Sequence, residues 1–278
     1  MKLYSLYRDF FKFLEKVPSG SKRWDMYFSH YYQIHQEFLG NYFDHFPLLD
    51  SKNLEQRVEA IKASDYSRLK HLVSVCPPEG IIKEAYERCI RVVPAKEEPE
   101  VYLFVGFFSP DGFVINFRTK PVICFGLERF KDFRLLSVLF AHEYAHFLLN
   151  LCGIETPEGL GLNWRLISEG IATYFSSLVY PKYDLSEHFL FSRERLNWCQ
   201  ANESYLREIY FSGKFSLQKL TEIYLKGDPE LDIPPRAGKY LGYQAVKRYL
   251  AYNEKEGINS LLSDKKIILS FLPSLHKM

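Results

Sequence analysis

The sequence has no Cys-x-x-Cys pair, no internal repeat, no low-complexity segment and no dense run of lysine or arginine. Its five cysteines, Cys76, Cys89, Cys124, Cys152 and Cys199, are odd in number and scattered. That argues against a zinc ribbon or a disulfide framework and for reduced thiols, hence a cytoplasmic protein. The 36 Lys+Arg against 34 Asp+Glu leave a formal charge of +2 over 278 residues. With no basic patch, nucleic acid is not an expected partner. A long unbroken apolar run is also missing. The most apolar stretch, 135–154, carries His142, Glu143 and His146. Such groups are costly at mid-bilayer, so no membrane partner is expected either. The N-terminal segment spreads Arg8, Asp9, Lys12, Glu15 and Lys16 along its length and lacks the apolar core of a signal peptide.

What is present is the material of a globular core. Hydrophobic residues make up 47% of the chain and charged residues 25%, which excludes disorder. Aromatics reach 17%, with 20 Tyr and 23 Phe, and read as large side chains filling a helical core rather than as a ligand cage. The length suits one large domain, or one domain with a helical appendage.

Spacing of apolar residues predicts helices through the first part of the chain. Leu3, Leu6, Phe10, Leu14 and Val17 fall three to four residues apart, ending at Pro18-Ser19-Gly20. Further helical stretches follow over 22–46, up to Pro47, and over 54–63, 66–75 and 81–93. The pattern then turns to β-branched and aromatic residues. Strands are predicted over 101–108 and 113–117, with Ser109-Pro110-Asp111-Gly112 as a hairpin turn between them, and over 121–127. Helices resume over 133–152, with Asp132 as N-cap and Gly153 in the left-handed position after it. A loop over 154–162 leads to a helix over 164–180, then to shorter helices over 185–198, 205–211 and 217–225. A Pro/Gly-rich loop over 227–238 precedes a last helix over 239–252. Helices, a small sheet before the long helix, then helices: this order predicts an α+β fold. The expected division is an N-terminal helical region over 1–94 and a second region over 95–278, with the two able to pack as one unit.

The segment that carries chemistry is Ala141-His142-Glu143-Tyr144-Ala145-His146. On a helix, positions i and i+4 lie one turn apart on one face, so both imidazoles can address a single ion. Glu143 projects to the flank of that face, where it can act as a general base on a metal-activated water. A random shuffle of this composition would contain the HExxH pattern roughly once in fifty tries, so its setting in an apolar helix matters as much as the pattern. Hydrogen-bonded core histidines are the plain alternative. A catalytic zinc needs a third protein ligand and an open position. The extended pattern with a third histidine fails, because Leu149 and Cys152 stand where it needs Gly and His. Cys152 reads as a buried thiol, with a thiolate ligand as the alternative. The better candidate is Glu169, in Ile167-Ser168-Glu169-Gly170-Ile171-Ala172, 23 positions after His146. Gly170 and Ala172 would let its helix approach the metal helix closely. Gly costs a helix interior about 1 kcal/mol against Ala, so it calls for a packing reason. Glu155 and Glu158, in the loop, are less fixed in position. Thr173 reads as a packing residue or as a partner to a ligand. His30, His35 and His45 share no helical face and read as core or surface histidines.

HEYAH followed by SEGIA resembles the gluzincin group of zinc metallopeptidases, which includes thermolysin and the aminopeptidase N type. The sequence is more closely similar to a bacterial family of predicted zinc-dependent proteases of unknown function. The matching parts are VYLFVGFF, PVICFGLE, AHEYAH, ISEGIATYF and GKYLGYQAVKRYL, over roughly residues 95–255. The resemblance implies a zincin-like metallopeptidase fold, zinc on His142, His146 and Glu169, and Glu143 as general base. Related peptidases set a Tyr or His opposite the metal to hold the oxyanion, which implies Tyr240 here, or Tyr243 one turn on. The strand PVICFGL reads either as a plain sheet strand or as one to which an extended peptide adds. The expected activity is zinc-dependent hydrolysis of peptide bonds in a peptide or protein substrate. Two alternatives stand beside it: a zinc hydrolase of a non-peptide amide or ester, and a non-catalytic peptidase-like binding or regulatory protein. Nothing in the sequence sets the oligomeric state.

Overall fold

The computed structural model describes residues 1–16, 22–46, 51–107, 110–153, 161–253, 257–264 and 267. The chain forms two compact units, Met1–Tyr86 with Lys96–Ser137, and Glu87–Ala95 with Val138–Met278. The fold is α+β, mostly helical with one small mixed sheet. No described helix is long and apolar enough to cross a membrane.

The first unit opens on strand β1 (Lys2–Ser5), not on the predicted helix, and helix α1 (Tyr7–Lys16) follows. Next comes a continuous helical run: α2 (Arg23–Tyr27), a π turn over Phe28–Tyr32, a 3₁₀ turn over Gln33–His35 and α3 (Gln36–His45). Helices α4 (Ser51–Ala60) and α5 (Ser67–Val75), with α6 (Pro78–Val92) as far as Tyr86, complete the helical part. The sheet adds β2 (Glu100–Phe104), β3 (Gly112–Phe117) and β4 (Lys120–Gly126) in the order β1-β2-β4-β3. The helix stops proposed at Pro18-Ser19-Gly20 and Pro47, and part of the turn at Ser109, lie outside the described residues.

Two expectations about the sheet are corrected, and one left open is resolved. Residues 2–5 leave the predicted helix because they pair in parallel with 100–103, Lys2 opposite Glu100 and Ser5 opposite Leu103. A partner some hundred residues away is invisible to local periodicity. The hairpin predicted between β2 and β3 does not form. β4 lies between them, parallel to β2 and antiparallel to β3. The actual hairpin joins β3 to β4 through Arg118 (φ 50°) and Thr119 (φ 63°). Two positive φ values in a two-residue loop suit the right-handed twist of the strands, but that turn usually advertises itself with Asn-Gly. Finally, PVICFGL is a plain strand: β2 occupies one side of β4 and β3 the other, so it offers no edge to a peptide.

The aromatic surplus fills the core of this unit. Phe10, Phe13, Tyr27, Tyr31 and Tyr42 have no solvent exposure. The buried hydroxyls have work beyond packing. Tyr31 donates to the Val105 carbonyl at 3.0 Å and accepts from the Val105 amide at 3.1 Å. Tyr42 donates to the Gly106 carbonyl at 2.9 Å. These bonds satisfy the backbone where the chain leaves β2, which apolar rings could not do.

The second unit holds the end of α6 from Glu87 on, helix α7 (Leu136–Leu151) from Val138 on and helix α8 (Gly161–Val179). After them come α9 (Leu185–Phe189), α10 (Arg193–Ala201), α11 (Glu203–Phe211), α12 (Leu217–Lys226), α13 (Ala237–Tyr252) and α14 (Ile258–Ser263). Helix α7 begins four residues after Asp132, whose carboxylate accepts from the Arg134 amide at 2.9 Å and so caps a turn ahead of the helix. Its end is as expected, with Gly153 at φ +63°. The helix is buried on nearly every side, including Leu136, Phe140, Ala141, Tyr144 and Ala145 at 0% exposure. An apolar helix of that kind sits inside its unit. The Tyr144 hydroxyl donates to the Val93 carbonyl at 3.0 Å, tying α7 to the end of α6.

Helices α8 and α13 meet backbone to backbone. A Cβ on Gly242 would lie 1.7 Å from the Leu166 carbonyl oxygen, and one on Gly170 would lie 2.2 Å from the Gly242 carbonyl carbon. Gly170 does allow a close approach, but the helix it admits is α13, not α7. Backbone meets backbone there because neither position carries a side chain.

Candidate metal centre

Helix α7 presents His142 and His146 one turn apart, with ring centroids 4.9 Å apart. Helix α8 brings Glu169 to both. His142 Nε2 lies 3.3 Å from His146 Nε2 and 3.3 Å from Glu169 Oε2, and His146 Nε2 lies 3.6 Å from Glu169 Oε1. Among the described residues this is the one group of three His, Cys, Asp or Glu side chains spaced to hold a metal ion.

The spacing fits zinc. A tetrahedral ion with bonds of about 2.0–2.1 Å holds its ligand atoms about 3.3–3.4 Å apart. The donor set, two imidazole nitrogens and a carboxylate oxygen, suits the same ion. The protonation states of two of the three agree as well. Burial, and then the charge of Lys239, push His142 down to about 3, so its ring is neutral, as a metal ligand must be. Removal from water works to raise Glu169, but Lys239 and the two imidazoles hold it well below the ordinary carboxylate range. Its side chain is 34% exposed, yet Oε2 itself is buried. His146 shows the opposite balance. Burial works to lower it, and the adjoining carboxylates Glu169 and Glu143 outweigh that and raise it.

Glu143, 5% exposed, flanks the imidazole face as its place on the helix dictates. Burial pushes its carboxyl up to about 7. A carboxyl that titrates near neutrality can both accept and return a proton at working pH.

The candidates proposed around this core separate into two groups. Cys152 is not a ligand: its thiol lies 3.1 Å from the Leu262 carbonyl, to which it donates. Thr173 is fully buried, four residues beyond Glu169, and its hydroxyl has no hydrogen-bond partner among the described residues. Glu155 and Glu158 lie outside the described residues. His35 pairs with Asp9 at 2.9 Å and His30 with Ser29 at 2.8 Å, so neither joins a metal cluster. Among the described residues no contact joins Tyr240 to the cluster. Its hydroxyl donates to Glu203 Oε2 at 3.0 Å and accepts from Gln244 Nε2 at 2.6 Å, and its ring belongs to the core around Phe189. Tyr243 packs its ring against Phe189 and Tyr174.

The residue that does reach the site is Lys239, which sequence reasoning missed. It is 3% exposed, and its Nζ lies 3.3 Å from Glu169 Oε2 and 3.5 Å from His142 Nε2. The close crossing of α8 and α13 puts it there. One signal was available: a lysine beside Gly238 in the buried first turn of α13 needs a partner.

A family model described as Predicted Zn-dependent protease (DUF2268) matches residues 112–270, more than half of the chain. The chain belongs to this family. The matched span contains the His142, His146 and Glu169 cluster as well as Glu143 and Lys239. No curated protein and no solved structure matches the chain.

Proposed function

We propose that this member of the predicted Zn-dependent protease family is a zinc metallopeptidase of gluzincin type, with a zincin-like fold around α7 and α8. The observation that carries the reading is the meeting of three metal-type donors from two helices, with the two imidazole nitrogens 3.3 Å apart and a buried glutamate beside them. His142, His146 and Glu169 would hold zinc, which supplies a Lewis acid that polarises a carbonyl and makes water more acidic. Glu143 takes the proton of the attacking water and passes it to the leaving amine. Burial supports this role by holding its carboxyl at about 7. Tyr240 has no part in the step, since its hydroxyl is engaged by Glu203 and Gln244. The substrate is a peptide or protein. The five cysteines, odd in number and with no disulfide among the described residues, support a reducing compartment and hence a cytoplasmic location.

The test pairs activity with metal content. Glu143→Gln should abolish hydrolysis of a peptide library and leave zinc stoichiometry unchanged, whereas His142→Ala should lose both. Turnover of small esters or amides without peptides would point to a non-peptide hydrolase. Full activity in Glu143→Gln would overturn the assignment of the base.

A further inference from the structure

We propose that Lys239 competes with the metal for the donor atoms of its own site, so that this buried cation sets how tightly zinc is held. The inference rests on reading His142, His146 and Glu169 as the zinc ligands. An ammonium group has three donors and no acceptor. Its Nζ lies 3.5 Å from His142 Nε2 and 3.3 Å from Glu169 Oε2, the atoms that zinc would use, and it can only donate to them. The His142 nitrogen has one lone pair and cannot serve both cations.

Geometry keeps Lys239 in the contest. At 3% exposure its side chain is enclosed, and its helix is pinned to α8 where Gly242 meets the Leu166 carbonyl. Two cations within one buried cluster repel with little screening by salt or water. The nearby carboxylates are Glu169 and Glu143, and Arg236, just ahead of the helix that carries Lys239, adds a further positive charge. Without metal, Lys239 balances Glu169 and leaves the cluster folded and charge-compensated. With metal, the same ammonium becomes excess positive charge. Lys239 thus lowers zinc affinity in return for a stable metal-free site.

Zinc titration against a chromophoric chelator tests this on the full chain. Lys239→Met and Lys239→Gln remove the charge at similar length and should bind Zn²⁺ about tenfold more tightly or better, while Lys239→Arg keeps the cation and should stay near wild type. Calorimetry gives a second readout: the rise in Tm on adding zinc should be larger for the two neutral variants, because tighter binding to the folded state raises Tm further. Equal or weaker zinc affinity in both neutral variants overturns the proposal while leaving the zinc site standing. Absence of zinc binding in wild type and variants alike overturns the site and the competition together.

Discussion

Tyr240 donates its hydroxyl proton to Glu203 and accepts from Gln244, while its neighbour Lys239 reaches Glu169 and His142. Consecutive helix positions point about 100° apart, so one faces the His142, His146 and Glu169 group and the other the core. Both readings can be checked on one variant. Tyr240→Phe should cost about 1–2 kcal/mol of stability, by loss of a hydrogen bond to a carboxylate that also pairs with Arg248. Turnover should fall far less than the roughly hundredfold loss that follows removal of an oxyanion donor. Urea denaturation alongside peptide hydrolysis separates the two effects. A hundredfold fall in turnover at unchanged stability would return Tyr240 to the site.

At the scale of elements, the site depends on helices that touch through their backbones. Ala at position 242 would be the better helix former by about 1 kcal/mol, yet its Cβ would fall 1.7 Å from the Leu166 carbonyl oxygen. The clash involves backbone, which cannot rotate away. Gly242→Ala should therefore destabilise the protein by about 1–3 kcal/mol or more despite the gain in propensity. It should also tighten zinc binding, because the helix that carries Lys239 must shift away from α8 and take the competing cation from Glu169. Denaturant unfolding and zinc titration measure the two consequences. A variant of wild-type stability would show that the helices can separate at no cost.

At the scale of the whole molecule, the first unit is held by contacts that join its start to residues far along the chain. Beyond the pairing of β1 with β2, Glu79 Oε1 accepts from Ser5 at 2.7 Å, from Tyr7 at 2.8 Å and from Arg8 at 2.9 Å. Burial works to raise the Glu79 carboxyl, but the hydrogen bonds from Ser5, Arg8 and Tyr7 prevail and leave it below its ordinary value. A carboxyl lowered in the folded state contributes stability above its unfolded pKa and loses it as pH falls through the folded value. Wild-type stability should decline on acidification across that window. Glu79→Gln should be less stable at neutral pH by about 1–3 kcal/mol and should show a flatter acid limb. The measurement is the urea midpoint as a function of pH. Parallel acid limbs in the two proteins would exclude Glu79 as a contributor.

The sequence by itself determined whatever repeats with a local period or sits at a fixed spacing. Helices α6, α7, α8 and α13 fall close to their predicted spans, Gly153 ends α7 as expected, and His142 and His146 share a face because four residues make about one turn. Glu169 was legible because Glu-Gly in a helix asks for a tertiary reason, although Gly170 makes its contact with α13 rather than with α7. Tertiary structure alone decided the strand at residues 2–5, the place of β4 inside the sheet, and the choice of Lys239 over Tyr240. Each of these depends on partners distant along the chain, so the free energy that selects them arises from pairing and packing and leaves no mark on local periodicity.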